Sequence, residues 1–318
     1  MKRISTLLTV LILAATVKSQ TATPFAQYAG NQMIFNPAFA GAHDLLSTNL
    51  SFRRLWTGVP GSPGLISFNA HAPFIDQRNS LGFVFQRETF GPQIINLVNV
   101  AYSYRLSTGA ESSLSFGTQI GLFNSITDWG LVTYVRHRED PAYGRGQRLV
   151  TNSFDVNAGL YFRARSFYLG LSARHLTTPR LDEITVRDAN TAITVYSHTP
   201  RQFFLIGGYN FRLNDNFDLR PRFLMRHKSG APFTISGGMD AVYNNRFTFG
   251  ANVMSGLPAV TLSVGIEVIE GLHLSYAFDM NFGIVRPFQR GSHEISISYF
   301  THIWTNMSGR RALRHHFR

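Results

Sequence analysis

The chain has 318 residues, 30 lysines and arginines against 18 aspartates and glutamates for a net charge of +12, and no cysteine. The missing cysteines exclude a disulfide framework, a cysteine-based zinc site and a thiol nucleophile. The positive charge does not mark a nucleic-acid binder, because the arginines are spread over strands, loops and the C-terminal end without a stripe of interleaved aromatics.

Met1-Lys2-Arg3 is a basic start, and Leu7 to Val17 is an apolar run of signal-peptide length. Val17-Lys18-Ser19 offers small residues to a signal peptidase, so residues 1–19 read as a signal peptide. The run is too short to cross a membrane as a helix. No later stretch is long and apolar enough, so a membrane-spanning chain would have to be a closed barrel. Residues 20–45 then form a periplasmic N-terminal segment. Within it, Asn36-Pro37-Ala38-Phe39-Ala40-Gly41 reads as a turn followed by small residues that let backbone approach backbone. The segment either tucks against the periplasmic mouth or enters the lumen as a plug, or is only the lead-in to the first strand.

From Leu46 to Phe300 the sequence alternates with period 2 between turn residues, which predicts about fourteen strands. The first seven are Leu46–Arg54, Gly64–Ala72, Ser80–Glu88, Gln93–Leu106, Ser112–Ser125, Ser153–Arg163 and Ser166–His175. The second seven are Arg201–Arg212, Phe217–His227, Pro232–Tyr243, Arg246–Met254, Ala259–Ile269, Leu272–Met280 and His293–Phe300. Their lengths are near the ~9–11 residues that a tilted strand needs to cross a bilayer. Leu272 to Met280 shows the pattern best, with large, mainly apolar even positions and small or polar odd ones. A soluble sandwich of this length would usually split into two domains, yet no linker or change of composition marks a boundary. The mean hydropathy of -0.04 suits a barrel whose apolar belt and polar lumen cancel.

Two faces follow from the alternation. Val260, Leu262, Val264, Ile266 and Val268 form one lipid-facing ridge; Phe154, Val156, Ala158, Leu160 and Phe162 form another. Phe203, Leu205, Tyr209 and Phe211 make a third, interrupted by Gly207. Asp155, Asn157, Asp279, His273, Glu267, Arg105, Arg220, Arg222 and Arg226 should face the lumen and pair there, since an arginine at the lipid midplane costs ~2–4 kcal/mol. Tight links such as Asn244-Asn245 follow even-numbered strands, whereas the two longest, Ile126–Asn152 and Leu176–Pro200, follow odd-numbered ones. With the N-terminus in the periplasm, the long links become surface loops. Trp129 in the first is the candidate contact anchor, given how often tryptophan carries binding energy. Residues 301–318 extend past the last strand as a basic periplasmic tail with Arg310, Arg311, Arg314 and Arg318, a candidate docking element for an acidic or peptidoglycan-associated partner.

Motifs of known chemistry are missing: there is no GxSxG, HExxH, phosphate loop or dinucleotide fingerprint. His293-Glu294 lacks the second histidine of a zinc site. No metal, cofactor or catalytic residue is expected.

Four short motifs in order carry a resemblance. They are Asn36-Pro37-Ala38-Phe39-Ala40-Gly41 after Gln27-Tyr28; Arg53, Trp56 and Gly58; Gly61-Ser62-Pro63; and Gly291-Ser292-His293-Glu294-Ile295. Together they resemble the PorP/SprF family of outer-membrane proteins of the type IX secretion system, with Phe39 where tyrosine is usual. The resemblance implies a non-enzymatic barrel in the outer membrane. It further implies partners: a large secreted adhesin bearing a type IX C-terminal signal, periplasmic components of secretion and gliding, and outer-membrane lipid. A porin-like channel for small solutes is the alternative, and a hydrolase at the barrel rim a more distant one.

Overall fold

The structure, a computed structural model, describes residues 25–74, 76–132, 148–188, 191–255, 259–282 and 286–302. The signal-peptide segment, the middle of the loop after the fifth strand, and Arg310, Arg311 and Arg314 of the tail lie outside the described residues.

Strands β1 (Leu46–Arg54), β2 (Gly64–Pro73), β3 (Asn79–Phe90), β4 (Gln93–Ser107), β5 (Ser113–Asp128), β6 (Arg148–Arg163) and β7 (Phe167–Arg174) form an antiparallel meander. A separate hairpin follows, β8 (Arg180–Asp188) with β9 (Thr191–His198). The meander resumes with β10 (Gln202–Tyr209), continued after Asn210 by β11 (Phe211–Arg212). It ends with β12 (Phe217–Lys228), β13 (Thr234–Tyr243), β14 (Phe247–Met254), β15 (Ala259–Ile269), β16 (Leu272–Asn281) and β17 (Ser292–Thr301). β1 pairs with β17 from Leu46 opposite Thr301 to Arg54 opposite His293, which closes the sheet. Counting β10 and β11 as one and setting the hairpin aside, this is a closed fourteen-stranded antiparallel barrel. Closure leaves the barrel itself without a sheet edge, so the backbone of each barrel strand is paired within the wall.

The alternation sorts the faces as the pattern predicts. Leu262, Val264, Ile266 and Val268 are exposed on the outer wall, as are Phe154, Leu160, Phe203, Tyr209 and Phe211. Asp155, Asn157, Asp279, Arg222 and Arg226 are buried inside. The lumenal charges pair: Arg222 with Asp240 at 2.7 Å and Arg220 with Asp218 at 3.1 Å. Gly207, the gap in the third ridge, is covered by the Phe223 ring, which lies 2.6 Å from where a Cβ would sit.

Some boundaries differ. β6 begins at Arg148, five residues before the predicted start, and β5 runs to Asp128, so the link between them is shorter than Ile126–Asn152. The alternation is hard to read there because the outward side of this stretch includes the polar Asn124 and Asn152. The link predicted as the loop Leu176–Pro200 carries the β8–β9 hairpin. The Asn244-Asn245 turn has φ of 51 and 53, the left-handed pair of a tight hairpin, which asparagine tolerates. Both barrel termini, Leu46 and Thr301, lie at one mouth, here the terminal mouth. The loops after β1, β3, β5, β7, β12, β14 and β16 lie at the other, the far mouth.

Candidate functional site: a latched segment inside the lumen

Residues 25–45 lie inside the barrel. Phe25, Tyr28, Met33, Ile34, Phe35, Ala38 and Phe39 are buried against inward residues of the wall, including Leu65, Val84, Ala101, Tyr161, Phe204 and Leu224. This is the hydrophobic core of the molecule, and it fills the lumen on the side of β2–β7, β10 and the middle of β12. The segment has no long regular element. It runs as 3-10 turns at Tyr28–Ile34 and Pro37–Phe39, short enough that side chains of the wall must satisfy its remaining backbone groups.

Asn36 anchors its middle. It is fully buried, and its Oδ1 caps the second turn by accepting from Ala38 N at 2.9 Å. Its Nδ2 donates to the Leu160 carbonyl at 2.8 Å. Pro37 at the first position of that turn has φ already set for it. The wall opposite is built of glycine. A Cβ on Gly117 would lie 2.2 Å from Ala38 N, and one on Gly159 would lie 2.0 Å from Asn36 Oδ1. Small residues in the segment and bare backbone in the wall therefore allow the close approach expected of Asn36 to Gly41. Ser172 and Ser103 donate to the Phe35 and Ala38 carbonyls at 2.7 and 3.3 Å.

Toward the terminal mouth, Gly41 turns the chain at φ +76 and abuts Ser80. Its N–H donates to His71 Nδ1 at 3.0 Å. Arg105 donates to the Gly41 carbonyl and to Asp44, and Arg163 to the Ala42 carbonyl and, at 2.9 Å, to Asp44. Burial works against the charge on Asp44, but the two guanidiniums hold its carboxyl below the usual range.

At the far mouth the remaining motifs meet. Glu294, 2% exposed, accepts from Ala26 N at 2.7 Å and Gln27 N at 3.1 Å. It also accepts from Arg53 Nη1 at 3.0 Å, while Arg53 Nη2 donates to Asp279 at 2.7 Å. Thr261 donates to the other oxygen of Asp279 at 2.7 Å. Trp56 N donates to Ser292 Oγ at 3.3 Å, and Thr57 N to the Gly291 carbonyl at 2.9 Å. Leu55 N donates to the Pro63 carbonyl at 2.9 Å, folding the loop after β1 back on itself through the left-handed Gly58 and Gly61. Arg53, Trp56, Gly58, Pro63 and Glu294 thus belong to one latch that grips the start of the segment. His293 points outward instead, where Tyr276 Oη meets its Nδ1 at 2.7 Å. Trp129 stands apart, half-buried in a 3-10 turn at the top of β5.

A second buried polar cluster was not foreseen as a unit. The His175 ring meets the Asp155 carboxylate at 3.1 Å, and His175 N donates to Asn157 at 2.8 Å. Asp155 and Asn157 were legible as inward residues, but the predicted strand ran through His175 and its alternation put that residue on the outward side with Phe167, Leu169 and Leu171; β7 instead ends at Arg174, and the left-handed φ of +57 turns the buried ring inward. Among the described residues no serine or threonine hydroxyl meets this ring, so the arrangement lacks the nucleophile of a hydrolytic triad. No group of three or more metal-ligating side chains occurs among the described residues.

Beside the segment, on the side of β12–β17, a cavity of about 180 Å³ remains, lined by Gln27, Gln32, Asn49, Arg222, Asp240 and Ser275 among others. Arg222 also lies over the Tyr28 ring at 4.9 Å.

An apolar outer belt, a closed antiparallel wall and a lumen partly filled by the chain's own N-terminal segment define an outer-membrane β-barrel. The solved structures similar to it are of that class. One described as the CymD monoaromatic hydrocarbon channel aligns at a TM-score of 0.51 and 10% identity, over 86% of this chain and 93% of that one. Another, the TodX deltaS2S3 mutant monoaromatic hydrocarbon channel, aligns at 0.50 and 12% identity, over 86% and 94%. At such identities the likeness is one of fold. No curated protein matches the chain. Residues 17–299 match the family model of the type IX secretion system membrane protein PorP/SprF, and the chain belongs to that family.

Proposed function

We propose that this protein is a non-enzymatic outer-membrane barrel that supports secretion or surface attachment of an adhesin carrying a type IX C-terminal signal, and that it contacts periplasmic components of secretion and gliding. The observation that carries this reading is the latched segment. A barrel whose lumen is occupied by buried, hydrogen-bonded chain from Phe25 to Asp44 works through its rims and loops rather than by bulk diffusion. The far-mouth loops then face the cargo and the terminal mouth faces the periplasm, with residues 301–318 as a docking tail there. Family membership supports the secretion context. The test is to remove the protein from cells and follow surface display of the type IX adhesin. Loss of display, restored by the wild-type chain, is expected. Unchanged display in cells without the barrel would refute the reading.

The cavity beside the segment favours a second reading, a narrow channel for small polar solutes. Single-channel recording separates the two. Steady conductance from the purified wild-type protein supports the channel, and a silent barrel supports the plugged scaffold.

A further inference from the structure

The outer wall carries one row that its position does not explain. Arg87 of β3, Asn96 of β4, Asn124 of β5 and Asn152 of β6 are successive register partners, all pointing outward. Their side chains are joined: Arg87 Nη1 donates to Asn96 Oδ1 at 3.3 Å, Asn96 Nδ2 to Asn124 Oδ1 at 2.9 Å, and Asn124 Nδ2 to Asn152 Oδ1 at 2.8 Å. Toward the terminal mouth the next row is Phe85, Val98, Leu122 and Phe154. Five such rows, predominantly apolar, lie between there and Leu106. At ~6.6 Å per row along strands tilted ~40°, they occupy about 25 Å of height, which is that of the apolar band of such barrels. The polar row therefore stands where hydrocarbon gives way to headgroups. The row beyond it, Thr89, Ile94, Ile126 and Val150, is again mostly apolar, so the polar row interrupts an apolar face rather than beginning a solvated rim.

A second cation joins it. Arg54 ends β1 pointing outward, opposite Gly64 of β2. A Cβ on Gly64 would lie 3.3 Å from Arg54 Nη1 and 2.9 Å from Thr89 Oγ1. The guanidinium therefore reaches across the bare glycine toward β3, where Arg87 stands one row lower. Both arginines are exposed, and among the described residues neither has an acidic partner. Two arginines on adjacent outward rows, both at the level of the headgroup layer, favour a bound anion, and guanidinium recognises phosphate with paired N–H groups. The amides beside them offer donors and acceptors in one plane, which suits sugar hydroxyls.

We propose that Arg54, Arg87, Asn96, Asn124 and Asn152 form a binding site for the phosphorylated sugar headgroup of an outer-leaflet glycolipid, the arginines holding phosphate and the asparagines the sugar. The site is on the outer wall, apart from the lumen and loops, and its assignment to the outer leaflet rests on the orientation proposed above, with the terminal mouth in the periplasm.

The test uses the full-length barrel purified in detergent and mixed with lipid A or phosphatidylglycerol, with retained lipid counted by native mass spectrometry. The wild type should retain lipid A in preference to phosphatidylglycerol. The double variant Arg54→Gln/Arg87→Gln should retain about tenfold less lipid A, the loss expected for two charge-assisted contacts. Asn96→Leu/Asn124→Leu should lower lipid A retention and leave phosphatidylglycerol unchanged. Equal retention of the two lipids by the wild type, which needs no variant, overturns the assignment, as does undiminished lipid A retention by the arginine variant. Unchanged heat-modifiable gel mobility certifies that each variant is folded.

Discussion

Arg53 donates to Glu294 across 3.0 Å inside the closing seam of the barrel, although 241 residues separate them in the chain. They face each other in register on the first and last strands, so the ion pair and barrel closure report on the same event. Arg53 stands between two buried carboxylates, Glu294 and Asp279. Arg53→Ala should therefore cost about 3–5 kcal/mol, because it leaves uncompensated buried charge. Glu294→Gln should cost less, since Asp279 still pairs with Arg53 and the amide oxygen still accepts from Ala26 N. Urea unfolding in vesicles measures both. If Glu294→Gln proved the more damaging variant, the arginine would not be the centre of the latch.

Asn36 and Gly159 make a matched pair: the amide fits only because the wall has no side chain there. Gly159→Ala would bring a Cβ to 2.0 Å from Asn36 Oδ1 and should destabilise by about 1–3 kcal/mol, typical of overpacking. Gly237→Ala, with open space around its Cβ, is the control and should change little. Asn36→Ala should cost about 1–3 kcal/mol through the buried groups it leaves unpaired. Equal unfolding midpoints for the two glycine variants would refute the fit.

The barrel was legible because alternation is local: each strand's outer ridge, such as Leu262 to Val268, can be read without knowing its neighbours. The even strand count and the short Asn244-Asn245 turn followed from the same local chemistry. The latch was legible only as motifs in order. That Arg53, Trp56, Pro63 and Glu294 converge depends on the register of closure, a relation between chain ends that no local pattern carries. The lumenal segment was harder still, since 3-10 turns of small residues have neither the 2.0 nor the 3.6 period. Its one signal was the density of small residues from Ala38 to Ala42, which shows that something packs closely but not against what. The glycines that answer it, Gly117 and Gly159, look like ordinary strand interruptions until the two are brought together.

Asp44 links the segment to pH. Its carboxyl is held below the usual range by Arg105 and Arg163 against the cost of burial, so the folded state binds its proton more weakly than the unfolded chain. Such a group contributes stability that is present above the unfolded carboxylate value, ~3.9, and is lost as pH falls through the folded value. Asp44→Asn should therefore lower the unfolding midpoint at pH 7, and the gap to wild type should close in strong acid. A gap that stayed constant from pH 7 to pH 3 would mean that Asp44 acts through shape rather than charge.

The chain's lack of cysteine allows a direct test of how the lumen is divided. Gly30 faces the open side, has no atom within 4 Å of a built Cβ and lines the cavity. Ala101 on β4 faces the packed side and is 0% exposed. A small methanethiosulfonate reagent should modify Gly30→Cys in the folded barrel and spare Ala101→Cys. Adding Glu294→Ala removes the acceptor for Ala26 N and Gln27 N, which should free the start of the segment and speed modification at Gly30→Cys. The anchors at Asn36 and Asp44 remain in that variant, so Ala101→Cys should stay protected. Modification of both cysteines in the unaltered background would show a segment that leaves the lumen as a unit. Protection of both would show that the open side is closed to solutes of this size, and would count against the channel reading as well.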